Sequence, residues 1–426
     1  MTTQAEKSNA FRAFRNRNYA LFFAGQSTSQ IGTWMQRTAV SWVIYSITHS
    51  ASMLGLAVFA QQFPSFLFSL LGGIASDRYD RRKILLITQT ASLIQSVLLA
   101  ILTFTNHYMI WEIMVLSVIL GIVNAFDTPA RQPMVHELVS NKEDITNALA
   151  LNSAMVNIAR LVGPALSGIV LQSFGAHTCF ILNAVSFLAV LASLLLLKLP
   201  PFIAPTNKKH VVTDLSEGFL YLRQTPRIGT IIILMMCMAF FVFPYDTLTP
   251  VFAKTIFNGD ARTFGYIASA VGFGAITGSF FLASLKKNAN LTNILLISIG
   301  VLGAGLIGFS QCTSFFGAIP FAVIIGIASL TPATVSITII QIEAATNMRG
   351  RVMSYVAMAY FGMLPLGSLL AGAASQQLSA PWTMLLQGII SIIIMLVFYR
   401  YLRPEHIHKK DLQNLQEAEN SVTDKV

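Results

Sequence analysis

Charge is what this chain has least of. Asp, Glu, Lys and Arg make up only 11% of its 426 residues, against roughly a quarter in soluble domains. With 54% hydrophobic residues and a mean hydropathy of +0.64, an ordinary soluble domain is excluded. Acids are scarcer still, 18 Asp and Glu against 28 Lys and Arg, a net charge of +10. In a soluble chain that balance points to nucleic acid. Here the cations sit between long apolar stretches, where they determine topology and meet anionic lipid headgroups, so no nucleic-acid partner is expected. The three cysteines, Cys179, Cys237 and Cys312, stand isolated in apolar surroundings, which excludes a disulfide framework. No His, Cys and acid cluster has metal-ligand spacing, and no Gly-Lys-Ser/Thr loop offers a phosphate site. Neither a metal, a cofactor nor direct ATP drive is therefore expected.

The chain does have twelve apolar stretches of the length that crosses a bilayer, about 20 residues of helix. They fall at 19–47, 51–75, 84–105, 109–126, 147–172, 177–199, 228–250, 263–285, 291–310, 315–340, 352–375 and 380–402. Nearly all Lys and Arg residues lie in alternate connecting segments: Arg12, Arg15 and Arg17, then Arg78, Arg81, Arg82 and Lys83, then Arg131 and Lys142, and onward to Arg349, Arg351 and Arg400. The opposite segments keep only Lys254 and Arg262. By the positive-inside rule both termini are expected on the cytoplasmic side. The run at 19–47 follows cations, as a signal peptide does, but is too long and lacks a small-residue cleavage site, so it is expected to remain as the first span.

The longest interruption, 200–227, divides the spans six and six. It carries Pro200, Pro201 and Pro205, and then Leu215, Phe219 and Leu222 at helical spacing, which predicts a surface amphipathic helix. The expected organisation is a first half over 1–200, a linker over 201–227, a second half over 228–403 and a polar tail over 404–426. The halves are faintly alike. Thr128-Pro129-Ala130 after span four matches Thr331-Pro332-Ala333 in span ten, and Pro164 of span five matches Pro365 of span eleven at nearly the same separation. Two matches at one offset on corresponding spans indicate an internal duplication. Facing six-span repeats are the build of many secondary transporters, with the substrate site between them near mid-membrane.

Between spans two and three the chain reads Gly73-Ile-Ala-Ser-Asp77-Arg78-Tyr79-Asp80-Arg81-Arg82-Lys83. This resembles the inner loop of the major facilitator superfamily, with Asp80 standing where that pattern has Gly, so the turn must be made differently. Trp34-Met35-Gln36-Arg37, Phe126-Asp127-Thr128-Pro129-Ala130-Arg131-Gln132, Arg160-Leu161-Val162-Gly163-Pro164 and Arg349-Gly350-Arg351-Val352-Met353 narrow the resemblance to the transmembrane secretion effectors, the branch of the enterobactin exporters, related to macrolide efflux proteins. The resemblance implies an all-α membrane protein of twelve transmembrane helices in two pseudo-symmetric six-helix halves. It further implies a monomer in the bacterial inner membrane that takes a small-molecule substrate and is driven by an ion gradient, most often of protons.

From the same resemblance, Gly73, Asp77, Arg78, Arg81 and Arg82 are expected to form a conformational latch. Asp77 would lie by the N-terminal end of span eleven, where a helix dipole favours negative charge. An Arg of the loop would pair with an acid ending span four, the role expected of Asp127, with Arg131 beside it. Gly163 and Pro164, followed by Ser167 and Gly168, resemble the span-five antiporter motif and are expected to pack and gate a helix seam, since small residues allow close approach.

Two cations fall inside apolar stretches, Arg37 in span one and Arg160 in span five, and an intramembrane Arg needs a partner, water or an anionic ligand. Gln26, Gln30, Thr33 and Arg37 share one helical face, which suits a wet cavity; hydrogen bonding between helices would serve Gln and Thr as well. Ser153, Asn157, Arg160 and Pro164 form a similar stripe, open to a ligand role or a seam role. The sequence places no carboxylate at mid-span: Asp246 and Glu112 fall near outer ends, Asp127 and Glu343 near inner ends. That deficit argues for an anionic or amphiphilic cargo and leaves Asp246, beside Pro244 and Pro250, as the proton-carrier candidate. The reading that results is a proton-coupled exporter of a small amphiphilic compound such as a siderophore or drug. Its alternatives are lysolipid flipping, import, a membrane-embedded enzyme or a passive channel. The last two lack a convergent catalytic set or a ring of pore residues.

Overall fold

A computed structural model describes residues 11–106, 109–139, 142–199, 211–286 and 289–402, with the side chains of 142, 143 and 211–215 not described. The tail from Pro404 and the linker residues 200–210 lie outside these. With no water to satisfy backbone groups in lipid, apolar stretches of this length must close their hydrogen bonds internally, and among the described residues they do so as helices. Spans one to six are α1 (Arg17–Thr48), α2 (Ala51–Arg78), α3 (Arg81–Thr105), α4 (Ile110–Leu138), α5 (Lys142–Phe174) and α6 (Ala176–Leu196). The linker contains α7 (Val211–Gln224). Span seven begins as α8 (Pro226–Cys237) and runs through irregular turns and α9 (Thr249–Val251) to Ile256. Spans eight and nine are α10 (Ala261–Ala283) and α11 (Leu291–Ser310). Span ten is split into α12 (Phe315–Ser329) and α13 (Thr331–Glu343). Spans eleven and twelve are α14 (Arg349–Leu378) and α15 (Ala380–Tyr401).

Eleven of the spans are long and apolar enough to cross a membrane by length and composition. Span one is less apolar than the others because it carries the Gln26, Gln30, Thr33, Gln36 and Arg37 series. Side-chain caps set the ends. Ser50 accepts from Met53 N–H, Asp260 from Thr263 N–H and Asn290 from Asn293 N–H, supplying partners for amides that a helix start leaves free. Asp80 resolves the departure in the inner loop: its carboxylate accepts from Arg82 N–H at 2.9 Å and caps span three, so the turn is held by a cap instead of by a glycine.

Span four extends to Leu138, twelve residues past the expected 126. The Thr128-Pro129-Ala130 copy therefore lies inside its helix, whereas Thr331-Pro332-Ala333 starts a new helix after the break at Leu330. The segment between spans six and seven carries α7, which takes in Leu215, Phe219 and Leu222. Glu217 pairs with Arg351, and Ala345 N–H donates to the Tyr221 hydroxyl at 3.1 Å, so α7 leans on the start of span eleven.

Within the first half, span one packs on six and five, span two on four, and span three on six and four. Within the second, eight packs on ten, nine on twelve, and eleven on seven. The halves meet along two seams, five against eight and two against eleven. Both seams lie toward the end of the bundle that holds Thr48, Phe174, Ile256 and Leu378, hereafter the far end. The opposite end, holding Arg78, Arg81, Lys142, Arg227 and Arg349, is the basic end.

At the far end Tyr45 Oη and Thr255 Oγ1 are 2.5 Å apart, Lys254 Nζ donates to Ser46 O at 3.1 Å, and Ala51 N–H donates to Gln376 Oε1 at 3.1 Å. Among the described residues no hydrogen bond or ion pair joins spans one to six to spans seven to twelve at the basic end. The bundle is closed at the far end and parted at the basic end.

Candidate substrate site and gate

The polar face of span one looks into a chamber that is open to solvent. Gln30, Thr33 and Arg37 line it together with Gln61 of span two and Asp127 and Arg131 of span four. Both readings of the stripe hold, each for different residues. Gln26 is buried against the neighbouring span, accepting from Arg131 Nη1 at 3.5 Å, while Gln30, Thr33 and Arg37 face the chamber.

Arg37 meets an acid from the other half. Its Nη2 lies 3.9 Å from Asp246 Oδ2, and the two side chains are 40% and 53% exposed. Asp246 is not at the outer end, where the sequence placed it: span seven continues ten residues further, to Ile256, about 15 Å at helical rise. The misplacement arises because the segment around it is not α-helical. A π turn at Met238–Val242 is followed by a 3-10 turn at Phe243–Leu248 and a second π turn at Phe252–Ile256. Pro244 and Pro250 remove amide donors and break the regular ladder. Non-helical backbone at membrane depth is tolerated where it lines a cavity, and here it presents Asp246 to Arg37.

Arg160 comes to the same place from span five. The Trp34 indole is shared by two guanidiniums, with Arg37 Cζ 5.3 Å and Arg160 Cζ 5.7 Å from its ring centroid. Both cations and Asp246 are within electrostatic reach of half-buried Tyr360, and Arg160 and Asp246 of buried Tyr245. Two cations thus face one carboxylate at the closed end of the cavity. Asn157, one turn from Arg160, is half-buried on the same helix.

The contacts expected of a latch are not made in this conformation. Asp77 and Arg78 are exposed, and a Cβ on Gly73 or Gly350 would meet nothing within 4 Å, so the loop stands away from the start of span eleven. The loop Arg that pairs with span four is Arg81, and its partner is Glu137, not Asp127. Arg82 Nη2 donates to Leu195 O at 2.9 Å. Asp127 sits eleven residues before the end of its helix, about 16 Å deeper, and is only 4% exposed. It accepts from Thr88 Oγ1 at 3.0 Å and Gln89 Nε2 at 2.7 Å, and pairs with Arg131 Nε at 3.4 Å. Arg131 is likewise a chamber residue and not a loop cation. Mid-span acids therefore exist, and the deficit read from the sequence came from ending span four too early. Gly163 packs on span one, inside the first half, where a Cβ would lie 2.5 Å from Trp34 Cβ; Pro164 lies on the five–eight seam, its O facing Gly265 of span eight.

Two sets of residues escaped the sequence reading. Gln36 accepts from Ser96 Oγ and Asn183 Nδ2, each at 2.8 Å, and donates to Gln95 Oε1 at 2.9 Å, tying spans one, three and six together. Amides recurring within apolar runs were the available signal. Phe59, Phe63 and Phe66 stack along span two, with ring centroids 4.6 and 6.2 Å apart, and Phe243 packs on Tyr360 at 5.7 Å. An aromatic row at helical spacing carries no mark in sequence that separates it from core.

The family described as transmembrane secretion effector matches residues 8–425. The staphyloferrin A transporter of Staphylococcus aureus is 28% identical, over 94% of this chain and 99% of its own length. The macrolide efflux protein A of Streptococcus pyogenes is 22% identical, over 88% and 93%. An enterobactin exporter of Escherichia coli is 26% identical, over 78% of each. Among solved structures, the nucleoside transporter NupG superposes with a TM-score of 0.73 at 13% identity, over 90% of this chain and 100% of that one. A bacterial homologue of the lysosomal transporter Spinster in an inward-facing, unoccupied conformation gives 0.66 at 15%, over 89% and 95%.

Proposed function

We propose, from the premise that this chain belongs to the transmembrane secretion effector family of major facilitator transporters, that it exports a small anionic or amphiphilic compound by alternating access. Its relatives include transporters of siderophores and exporters of drugs. The observation that carries the choice among cargoes is the charge balance around Trp34: Arg37 and Arg160 against Asp246 alone. A guanidinium at membrane depth costs several kcal/mol without a counter-charge, about 2.5–3.5 on insertion scales. An anionic group on the cargo supplies the missing charge.

In this reading the basic end faces the cytoplasm of a bacterial cell and the membrane is the inner one, which makes this the cytoplasm-open state of a monomer. The cargo enters the chamber, meets Arg37 and competes with Asp246 for it. Residues 1–200 and 228–403 then rock as two bodies joined by 201–227. The loop from Gly73 to Arg82 re-forms its contact with span eleven, and the far-end seams part. A proton gradient drives the cycle. Export of an anion also gains from the membrane potential, about 2.3 kcal/mol per charge per 100 mV, which favours export of such a cargo over import.

The test is accumulation in cells with and without the protein. An anionic siderophore should be retained less in expressing cells than an uncharged compound of similar size, and a protonophore should abolish the difference. Equal export of both compounds would remove the anion preference. A lysolipid moved in their place would favour flipping.

A further inference from the structure

The two buried amides beside Asp127 each leave one polar atom unpaired among the described residues. Gln89 is 5% exposed; its Nε2 donates to Asp127 while its Oε1 has no donor. Gln26 is 2% exposed; its Oε1 accepts from Arg131 while its Nε2 has no acceptor. Buried amide atoms are almost always paired. Two exceptions around one carboxylate–guanidinium pair mark that pair as built for more than one bonding state.

We propose that Asp127, not Asp246, carries the coupling proton, and that Gln89 is the partner that adapts to its two protonation states. The proposal rests on the coupled-transport reading and names the site where the coupling acts. In this conformation the carboxylate is engaged only by donors, Thr88, Gln89 and Arg131, the bonding that suits its charged form. A proton delivered by hydronium in the chamber forms an O–H bond on the carboxylate and leaves a water molecule behind. The ion pair with Arg131 is lost, and the new hydroxyl needs an acceptor. A half-turn of the Gln89 amide exchanges Nε2 for Oε1, the atom that now lacks a partner, and accepts it. Thr88 Oγ1 can turn its single hydrogen from Asp127 to Leu85 O, 3.2 Å away. Arg131, whose side chain is 29% exposed, turns toward the chamber and adds a free positive charge there.

The surroundings favour this acid over Asp246. Of the charged groups lining its chamber, Arg131 is on its own span and Arg37 on span one. Spans two, three and six contribute Gln61, Gln89, Gln95 and Asn183, so among the described residues of the first half no other acid lines the chamber; the second acid of the cavity, Asp246, belongs to span seven and pairs with Arg37. Asp246 is half exposed to the cavity with its partner at 3.9 Å, so its charge is carried largely by water and changes little in how the helices pack. Asp127 is bonded to span three and, through Arg131 and Gln26, to span one. Gain or loss of its charge rewires contacts between three helices, as a protonation switch must. An ionised Asp127 in a bundle parted at the basic end also suits a proton antiporter that has released its proton to that side.

The experiment is infrared difference spectroscopy of the full-length protein in lipid nanodiscs across a pH series, beside ΔpH-driven transport in proteoliposomes. The wild type and Asp246→Asn should both show a carboxyl band that appears as pH falls, and Asp127→Asn should lack it. Gln89→Leu, which can neither donate nor accept, should move the midpoint by about tenfold or more in proton concentration. If Asp127→Asn does not fold, the Gln89→Leu midpoint decides alone. A band that persists in Asp127→Asn and vanishes in Asp246→Asn, or an unmoved midpoint in Gln89→Leu, overturns the assignment. If ΔpH drives transport equally in wild type and Asp127→Asn, only the assignment fails. If ΔpH drives nothing in the wild type, the coupled-transport reading fails with it.

Discussion

Gly265 of span eight rests on the backbone of Gly168 in span five: a Cβ there would lie 3.0 Å from Gly168 Cα and 2.5 Å from Pro164 O. The other seam repeats this contact. A Cβ on Gly55 of span two would lie 2.5 Å from Ser368 O, and one on Gly372 of span eleven 3.0 Å from Gly55 Cα. In each seam a glycine meets a glycine and the carbonyl four residues before it, so the two halves of the chain build equivalent joints.

Gly265→Ala should force the far-end seam apart, because overpacking by a methyl costs about 1–3 kcal/mol and only the closed state pays it. A bias of that size shifts the two-state population roughly 5- to 150-fold toward the state open at the far end. Spin-label distances across spans five and eight report it. Unchanged distances would mean the seam adjusts without help from the glycine.

Arg37→Gln should weaken an anionic cargo more than an uncharged one. Hydrogen bonds to charged groups are worth about 1.5–3 kcal/mol against roughly 1 for neutral pairs. Asp246→Asn should do the reverse and tighten anion binding, because Arg37 loses its internal competitor. Direct binding of the two cargoes to each variant checks both; equal losses for both cargoes in Arg37→Gln would make Arg37 a structural partner of Asp246.

Asp77→Asn should cut transport while leaving cargo affinity nearly intact, since Asp77 is exposed at the basic end, away from the chamber. Glu137→Gln, which breaks the pair with Arg81, should act in the same direction. Loss of equilibrium binding in a folded Asp77 variant would contradict the latch.

Gln36→Leu should lower thermal stability. It strands Gln95 Oε1 and Asn183 Nδ2, while Ser96 keeps Phe180 O as its acceptor, and each buried polar group left unpaired costs about 1–3 kcal/mol. A melting curve in detergent measures this, and a wild-type midpoint would show that the two groups find other partners.

Tyr79→Cys and Gln311→Cys probe orientation, as exposed sites at the basic and far ends. An impermeant thiol reagent outside intact cells should label Gln311→Cys and spare Tyr79→Cys. The opposite pattern would invert the topology and with it the direction of opening.

Sequence was sufficient where the physics is one-dimensional. A bilayer imposes a length on each apolar run and a sign on each loop, so spans one to twelve, the linker helix at Val211–Gln224 and the polar face of span one were all legible. Gln30, Thr33 and Arg37 share a face because of helical pitch alone. What failed was depth. Span four continues through Thr128-Pro129-Ala130-Arg131, polar and proline-bearing residues that look like a loop, because neighbouring helices supply partners that hydropathy cannot see.

Only the tertiary structure decided which charges meet. Arg37 finds Asp246 more than two hundred residues away, since span seven unwinds at Pro244 and Pro250 and turns the acid inward. Arg81 takes Glu137, leaving Asp127 to Arg131, because the helix of span four carries the two acids to different depths. Spacing along one helix fixes which side chains share a face. Pairing across helices depends on crossing points, and these are set by where glycines such as Gly168 and Gly265 let two backbones touch.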